Sequence, residues 1–170
     1  MRKLTTILTL LVTAIVFTCC GSDRPDDLPV SRVYSAEKSF SVFAVQGATS
    51  RIAVEFKIDD FTGISEYKKY IESVLVQTNS YIELTGISGR VELTDVRLSL
   101  ERDSKKSINL PDITENVKFQ DLPRLTFLQN VMDEIDRRGS STVVLEYKSS
   151  YDMETPAKLT LRINSQFNFN

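Results

Sequence analysis

Thr142-Val143-Val144-Leu145-Glu146-Tyr147-Lys148-Ser149, followed after Ser150 to Pro156 by Leu159, Leu161, Ile163, Phe167 and Phe169 on one parity, is the stretch whose reading decides the fold. A period of two puts Val143, Leu145 and Tyr147 on one face and Val144, Glu146 and Lys148 on the other. That is the pattern of a strand with one side against a core. The short polar connection between the two runs predicts a β-hairpin.

Working back from it, Gly139 ends a helix whose apolar stripe is Leu128, Val131, Met132 and Ile135. Thr126 and Gln129 have the spacing of a capping box, and Arg137 and Arg138 fall in the last turn, where cations complement the helix dipole. Short strands are expected at residues 108–110 and 117–119. Val91 and Leu93, then Val96, Leu98 and Leu100 after a one-residue slip, form another, with a β-bulge predicted across Thr94-Asp95. Ser88-Gly89 reads as a turn before it. Strands are also expected through Leu75-Val76 and Tyr81 to Leu84. Ile64, Tyr67, Ile71 and Val74 recur at helical spacing, which predicts a short helix from Ser65 to about Ser73 with Ser65 as its N-cap. Ile52, Val54, Phe56 and Ile58 alternate as a strand, and residues 39–45 make the first. Many short strands and two short helices predict a mainly β protein, an antiparallel β-sandwich.

The first thirty residues carry a different message. Arg2 and Lys3 precede fourteen uncharged residues, Leu4 to Phe17. As a helix that run would measure about 21 Å, too short for a hydrocarbon core of roughly 30 Å. It has the form of a signal peptide's apolar segment instead. The segment ends Val16-Phe17-Thr18-Cys19-Cys20-Gly21, which resembles a bacterial lipobox. The resemblance implies a signal over residues 1–19, cleavage before Cys20 and acylation of its thiol and new amino group. Cys19 is the alternative acceptor, though it would put the bulky Phe17 where a small residue is usual. Two or three acyl chains anchor a protein stably where one does not. Residues 20–31, with Asp23 before Pro25 and Asp26 and Asp27 between Pro25 and Pro29, read as an acidic flexible tether. The domain is then expected over residues 32–170.

The acidic run after the cysteine is similar to the export signal of Bacteroidetes-type surface lipoproteins. The order of elements also resembles a recurrent lipoprotein of that type, with an immunoglobulin- or fibronectin-III-like sandwich. The points of likeness are the alternating strand before Asp59, the short helix running into Val74, and the ending of helix, Gly139, hairpin and last strand. Together they imply a lipid-anchored protein of the outer membrane, exposed at the cell surface.

Composition narrows the role. Without Arg2 and Lys3 the chain has 19 basic against 23 acidic side chains, and no dense basic stripe, so nucleic acid is not an expected partner. Lys105-Lys106 and Arg137-Arg138 are doublets that read as solvated or helix-end charges. Histidine and tryptophan are absent and no cysteine follows Cys20, which excludes histidine-based triads, histidine-ligated zinc and disulfides within this chain. No phosphate-binding glycine loop occurs. No cofactor is implied, and the expected role is a non-catalytic binding or structural module for a surface protein or glycan. A pilus-like or surface-complex subunit is one alternative. A glycosidase with two carboxylates about 5–10 Å apart is another. Tyr70 and Tyr151 are the candidate ligand-binding residues, Tyr67 and Tyr147 being expected in the core. Asp59 and Asp60 are the candidate calcium ligands, without the spacing of an EF-hand.

Overall fold

A computed structural model describes residues 27–87 and 89–170. The expected signal, Cys19 and Cys20, the first part of the tether and Ser88 lie outside these residues. The elements run β1 (Ser31–Val42), β2 (Thr49–Lys57), β3 (Ile71–Val76), β4 (Tyr81–Thr85), β5 (Leu93–Leu100), β6 (Ser107–Asn109), β7 (Val117–Phe119), α1 (Leu122–Arg138), β8 (Ser140–Ser149) and β9 (Ala157–Phe169).

Two antiparallel sheets face one another. One has the order β1-β9-β4-β7, with β3 also paired to β9, and the other has the order β2-β8-β5-β6. The sandwich class is as expected, but the strand order is not an immunoglobulin's, whose sheets hold strands ABED and CFG. Chain connections mostly cross from sheet to sheet, and the last two strands lie at the centre of opposite sheets. That is the order of a jelly roll. The predicted hairpin of β8 and β9 is therefore absent: β8 pairs with β2 and β5, and β9 with β1, β3 and β4. A period of two states which face is buried but not which sheet the strand joins.

β9 organises its sheet. Its thirteen residues pair with β1 without a register break from Ser31–Asn168 to Val42–Ala157. On its other edge β3 and β4 follow one another in the same direction, as one strand interrupted at residues 77–80. The interruption is filled by polar groups. Asn164 accepts from the Ser35 hydroxyl (2.6 Å) and donates to the Asn79 carbonyl (2.9 Å). The Ser80 hydroxyl donates to the Asn164 carbonyl and accepts from its N–H. Asn164 and Ser80 are buried, and these bonds offset the desolvation that unpaired amide and hydroxyl groups would suffer.

The helix expected at Ser65–Ser73 does not form. Ser65 donates to Asp59 instead of capping a helix, Lys68–Tyr70 make one 3-10 turn, and Ile71 begins β3. Pairing with β9 outweighs the helical spacing of the apolar residues, because β-branched side chains such as Ile71 and Val74 fit a sheet well. The surviving helix begins earlier than its capping-box reading. Asp121 caps it by accepting from the Arg124 N–H (3.2 Å), with Pro123 in the first turn. Thr126 lies inside, its hydroxyl donating to the Leu122 carbonyl. Gly139 ends it at φ 81°, a left-handed position suited to glycine.

Gln129 has a role that spacing did not reveal. Its carboxamide accepts from the Val76 N–H (2.8 Å) and donates to the Val74 carbonyl (3.1 Å). It thus supplies β3 with the pairing that a neighbouring strand would give. Behind it Phe127, Leu128, Val131, Met132 and Ile135 enter the common core. The bulge expected in β5 is present: the register with β8 shifts between Thr94 and Arg97, and Asp95 sits at φ 53°.

The sandwich has two distinct ends. The base is where β1 begins, beside the end of β9: Leu28 is buried, and the Val30 carbonyl accepts from the Phe169 N–H. The tip, at Val42 and Ala157, lies one strand length away. Thirteen residues at roughly 3.3 Å each put the two ends about 40 Å apart.

Candidate functional site

The tip gathers the loops β1–β2, β4–β5, β6–β7 and β8–β9. The buried Tyr147 hydroxyl donates to the Phe43 carbonyl, and its burial pushes the Tyr147 pKa up. The Met153 N–H donates to the Ala44 carbonyl (3.0 Å), the Gln46 N–H to the Asp152 carboxylate (2.7 Å) and the Gly47 N–H to the Ser149 carbonyl (3.0 Å). Ser150 ties the next loop, its N–H donating to the Glu92 carbonyl and its hydroxyl accepting from the Glu92 N–H. The Ile87 N–H in turn donates to Asn116 of the β6–β7 loop. Gly86 is required where these loops meet. Its φ is 83°, and a Cβ there would stand 3.3 Å from the Ala157 backbone.

Between the β4–β5 and β8–β9 loops lies an open cleft of about 280 Å³, lined by Gly86, Arg90, Tyr151, Asp152, Met153 and Glu154 among others. Its rim and the adjoining β1–β2 loop carry Phe43 (60% exposed), Val45 (65%) and Tyr151 (46%). Large apolar side chains exposed on neighbouring loops are a surface feature that folding alone does not call for. Arg90 and Glu154 offer opposite charges beside the Tyr151 ring. The two carboxylates, Asp152 and Glu154, are both exposed, and Asp152 is committed to the Gln46 N–H. A glycosidase acid needs an enclosed carboxyl that keeps its proton near neutral pH, and exposed carboxylates lack that environment.

Of the residues expected to bind a ligand, Tyr151 is on this rim and Tyr70 is not. Tyr70 is half-buried at the base, its carbonyl accepting from the Asn170 N–H and its ring lying under the Lys69 ammonium. The structure separates the pair by the length of β9. Phe43 and Val45, expected within the first strand, stand outside it in the loop after Val42. Arg90 and Glu154 had no pattern to mark them.

Asp59 and Asp60 are also at the base. Asp60 pairs with Lys38 (2.8 Å) and accepts from the Lys57 N–H (2.7 Å). Asp59 is bound by Lys68 and by the Ser65 hydroxyl, and the Lys68 contact holds its carboxyl below the usual range. Both carboxylates thus brace a turn with lysines as counter-ions. Among the described residues no group of three or more histidine, cysteine, aspartate or glutamate side chains is placed to hold a metal ion. Nor, among them, is any helix long and apolar enough to cross a membrane.

No protein-family model matches the chain, and no curated protein matches it in sequence. Among solved structures, one from Desmodium yellow mottle tymovirus aligns at 10% identity and a TM-score of 0.40, covering 87% of this chain and 96% of that one. A decameric BFDV capsid protein aligns at 9% identity and a TM-score of 0.45, covering 81% and 98%. At these scores neither likeness bears on what the chain does.

Proposed function

We propose that the protein is a lipid-anchored, outward-facing binding module, held to the outer membrane through Cys20 and engaging a partner protein at the tip of the sandwich. One observation carries the reading: the chain enters at the base, where the exposed apolar groups are the aliphatic Val30 and Val33, while the exposed rings of Phe43 and Tyr151 stand with Val45 at the opposite end. From Cys20 to Asp27 there are eight residues, which reach at most about 28 Å when extended. An anchor on Cys20 therefore keeps the base near the membrane, and the tip can stand about 40 Å beyond it. Exposed aromatic side chains, with Arg90, Asp152 and Glu154 beside Tyr151, suit a protein interface, whose core is enriched in tyrosine and phenylalanine. The exposed carboxylates of the cleft support a non-catalytic role.

Two measurements test the reading together. Metabolic labelling with a fatty acid should mark the wild type and be abolished by Cys20→Ala, with Cys19→Ala retaining it. A photo-crosslinking residue at Tyr151 in living cells should capture a discrete protein, and the same residue at Glu72, away from the tip, should not. Equal labelling of Cys20→Ala would remove the anchor. Capture of glycan alone, or of nothing, would remove the protein partner.

A second reading, assembly by strand addition, draws on the position of β1 at the edge of its sheet with twelve unbroken residues. It requires oligomer ladders on the cell surface, and a strictly monomeric protein would end it.

A further inference from the structure

Two pairs of basic residues that lie far apart in the sequence meet at the base. The β5–β6 loop brings Arg102 and Lys106, and the last turn of α1 brings Arg137 and Arg138, to the walls of one small polar cleft of about 120 Å³. Glu134 and Asp103 line it too, so four cations face two carboxylates and the cleft keeps an excess of positive charge. Glu134 is buried, accepts from the Ser141 hydroxyl (2.7 Å) and faces Arg138 at 4.0 Å. Asp103 accepts from the Lys105 N–H within its own turn (3.3 Å). Arg137 donates to the Asp133 carbonyl (2.9 Å). The side chains of Arg102, Lys105 and Lys106 have no hydrogen-bonding or ionic partner among the described residues. Neither Asp133 nor Asp136 lines the cleft, although Arg137 stands one turn after Asp133 and its charge acts on Asp136. Glu101 is paired with Arg51.

We infer that this cluster is a binding site for the phosphate-bearing headgroups of an anionic bilayer, and that it holds the base of the sandwich against the membrane. The occupant follows from place and charge. The cluster lies at the end where the chain enters, and that end faces the bilayer if Cys20 is acylated, so the inference rests on the proposed anchor. Acyl chains hold a protein at a membrane without orienting it, whereas basic side chains at the surface attract anionic lipid and add to the hold. With the base drawn down, Phe43, Val45 and Tyr151 point outward. Arg102 is exposed and Lys106 half-buried, and neither belongs to the core, so replacing them leaves the core untouched.

The test uses the chain from Gly21 onward, without the apolar run Leu4 to Phe17, Cys19 and Cys20, so that neither the signal segment nor an acyl chain contributes. Its partition is measured onto phosphatidylcholine vesicles and onto vesicles that include phosphatidylglycerol. Partition should be stronger on the anionic vesicles. Adding Arg102→Glu and Lys106→Glu should lower that partition about tenfold or more and leave the neutral vesicles unaffected. Arg102→Gln with Lys106→Gln should give an intermediate loss, which guards against a folding defect in the charge reversal. Inorganic phosphate at constant ionic strength should not compete. Unchanged partition in the reversed variant would overturn the inference, and displacement by phosphate alone would assign the cleft to a free anion instead. Because this shortened chain lacks both cysteines, these outcomes are independent of whether Cys20 is acylated.

Discussion

At the base, Phe61 and Tyr34 pack edge-on against Phe167, and Tyr34 and Tyr67 do the same to Phe169, with ring centroids 5.4–6.4 Å apart. At the tip, backbone N–H groups and the Tyr147 hydroxyl join the loops, while Phe43, Val45 and Tyr151 are left exposed. Aromatic packing thus dominates the base, whereas hydrogen bonds link the loops of the tip above the smaller buried side chains of Ala44, Ile87, Leu93 and Ile113. Burying a large side chain contributes more than one net hydrogen bond, so the two ends should differ in stability although they share strands. An end joined by hydrogen bonds can present apolar groups outward without dismantling the core.

The largest effect should come from the base. Phe167→Ala is expected to destabilise the whole domain by about 3–5 kcal/mol, seen as a lowered denaturation midpoint. A loss below about 1 kcal/mol would break the contrast, since packing would then not be what closes that end. Next comes the edge of β3. Gln129→Ala leaves the Val76 N–H and Val74 carbonyl without their partners and should cost about 1–3 kcal/mol. Faster hydrogen exchange at Val76 would locate the loss.

At the tip, Tyr147→Phe should cost about 1 kcal/mol or less in global stability. It should speed exchange at the Met153 and Gly47 amides while leaving β9 protected. Unchanged loop exchange would mean that the Tyr147 hydroxyl does not hold the tip. The same group sets a pH dependence. Its pKa is raised by burial, so its stabilising contribution is complete below the unfolded tyrosine pKa and fades as pH rises through the higher folded value. The tip of the wild type should therefore loosen in strong alkali, and Tyr147→Phe should remove that dependence. The smallest effect is at the surface of the base. Lys68→Met should raise the Asp59 pKa, read by NMR titration. Asp59 is depressed in the wild type, so what it contributes is present above the unfolded carboxylate pKa and is lost as pH falls. Little change in stability at neutral pH is expected.

Much of the fold was legible because burial leaves a period. Val143, Leu145 and Tyr147 are buried as their parity implied, and Leu159, Leu161, Ile163, Phe167 and Phe169 are too, but Val144, assigned to the opposite face, is buried as well. The bulge at Asp95 was legible because a one-residue slip in period has few other causes. Ser65 to Ser73 misled because Ile64, Tyr67, Ile71 and Val74 fit a helix locally, and the partner that decides against it, β9, lies nearly a hundred residues away. Of the candidate site, Tyr151 was legible as an exposed aromatic in a loop. Phe43 and Val45 were not, since apolar residues in a strand-like run give no sign that pairing stops at Val42.

The sequence by itself determined the lipobox-like run at Cys20, the absence of histidine and tryptophan, the strand faces and the stop at Gly139. Each is a property of one residue or of a short-range period. Tertiary structure alone decided that β8 and β9 belong to opposite sheets, that Gln129 stands in for a strand, and that Tyr70 and Tyr151 lie at opposite ends. It also decided that Arg102 and Lys106 meet Arg137 and Arg138. These depend on which distant strands pair, and pairing is chosen by the combined burial of the whole chain rather than by any local pattern.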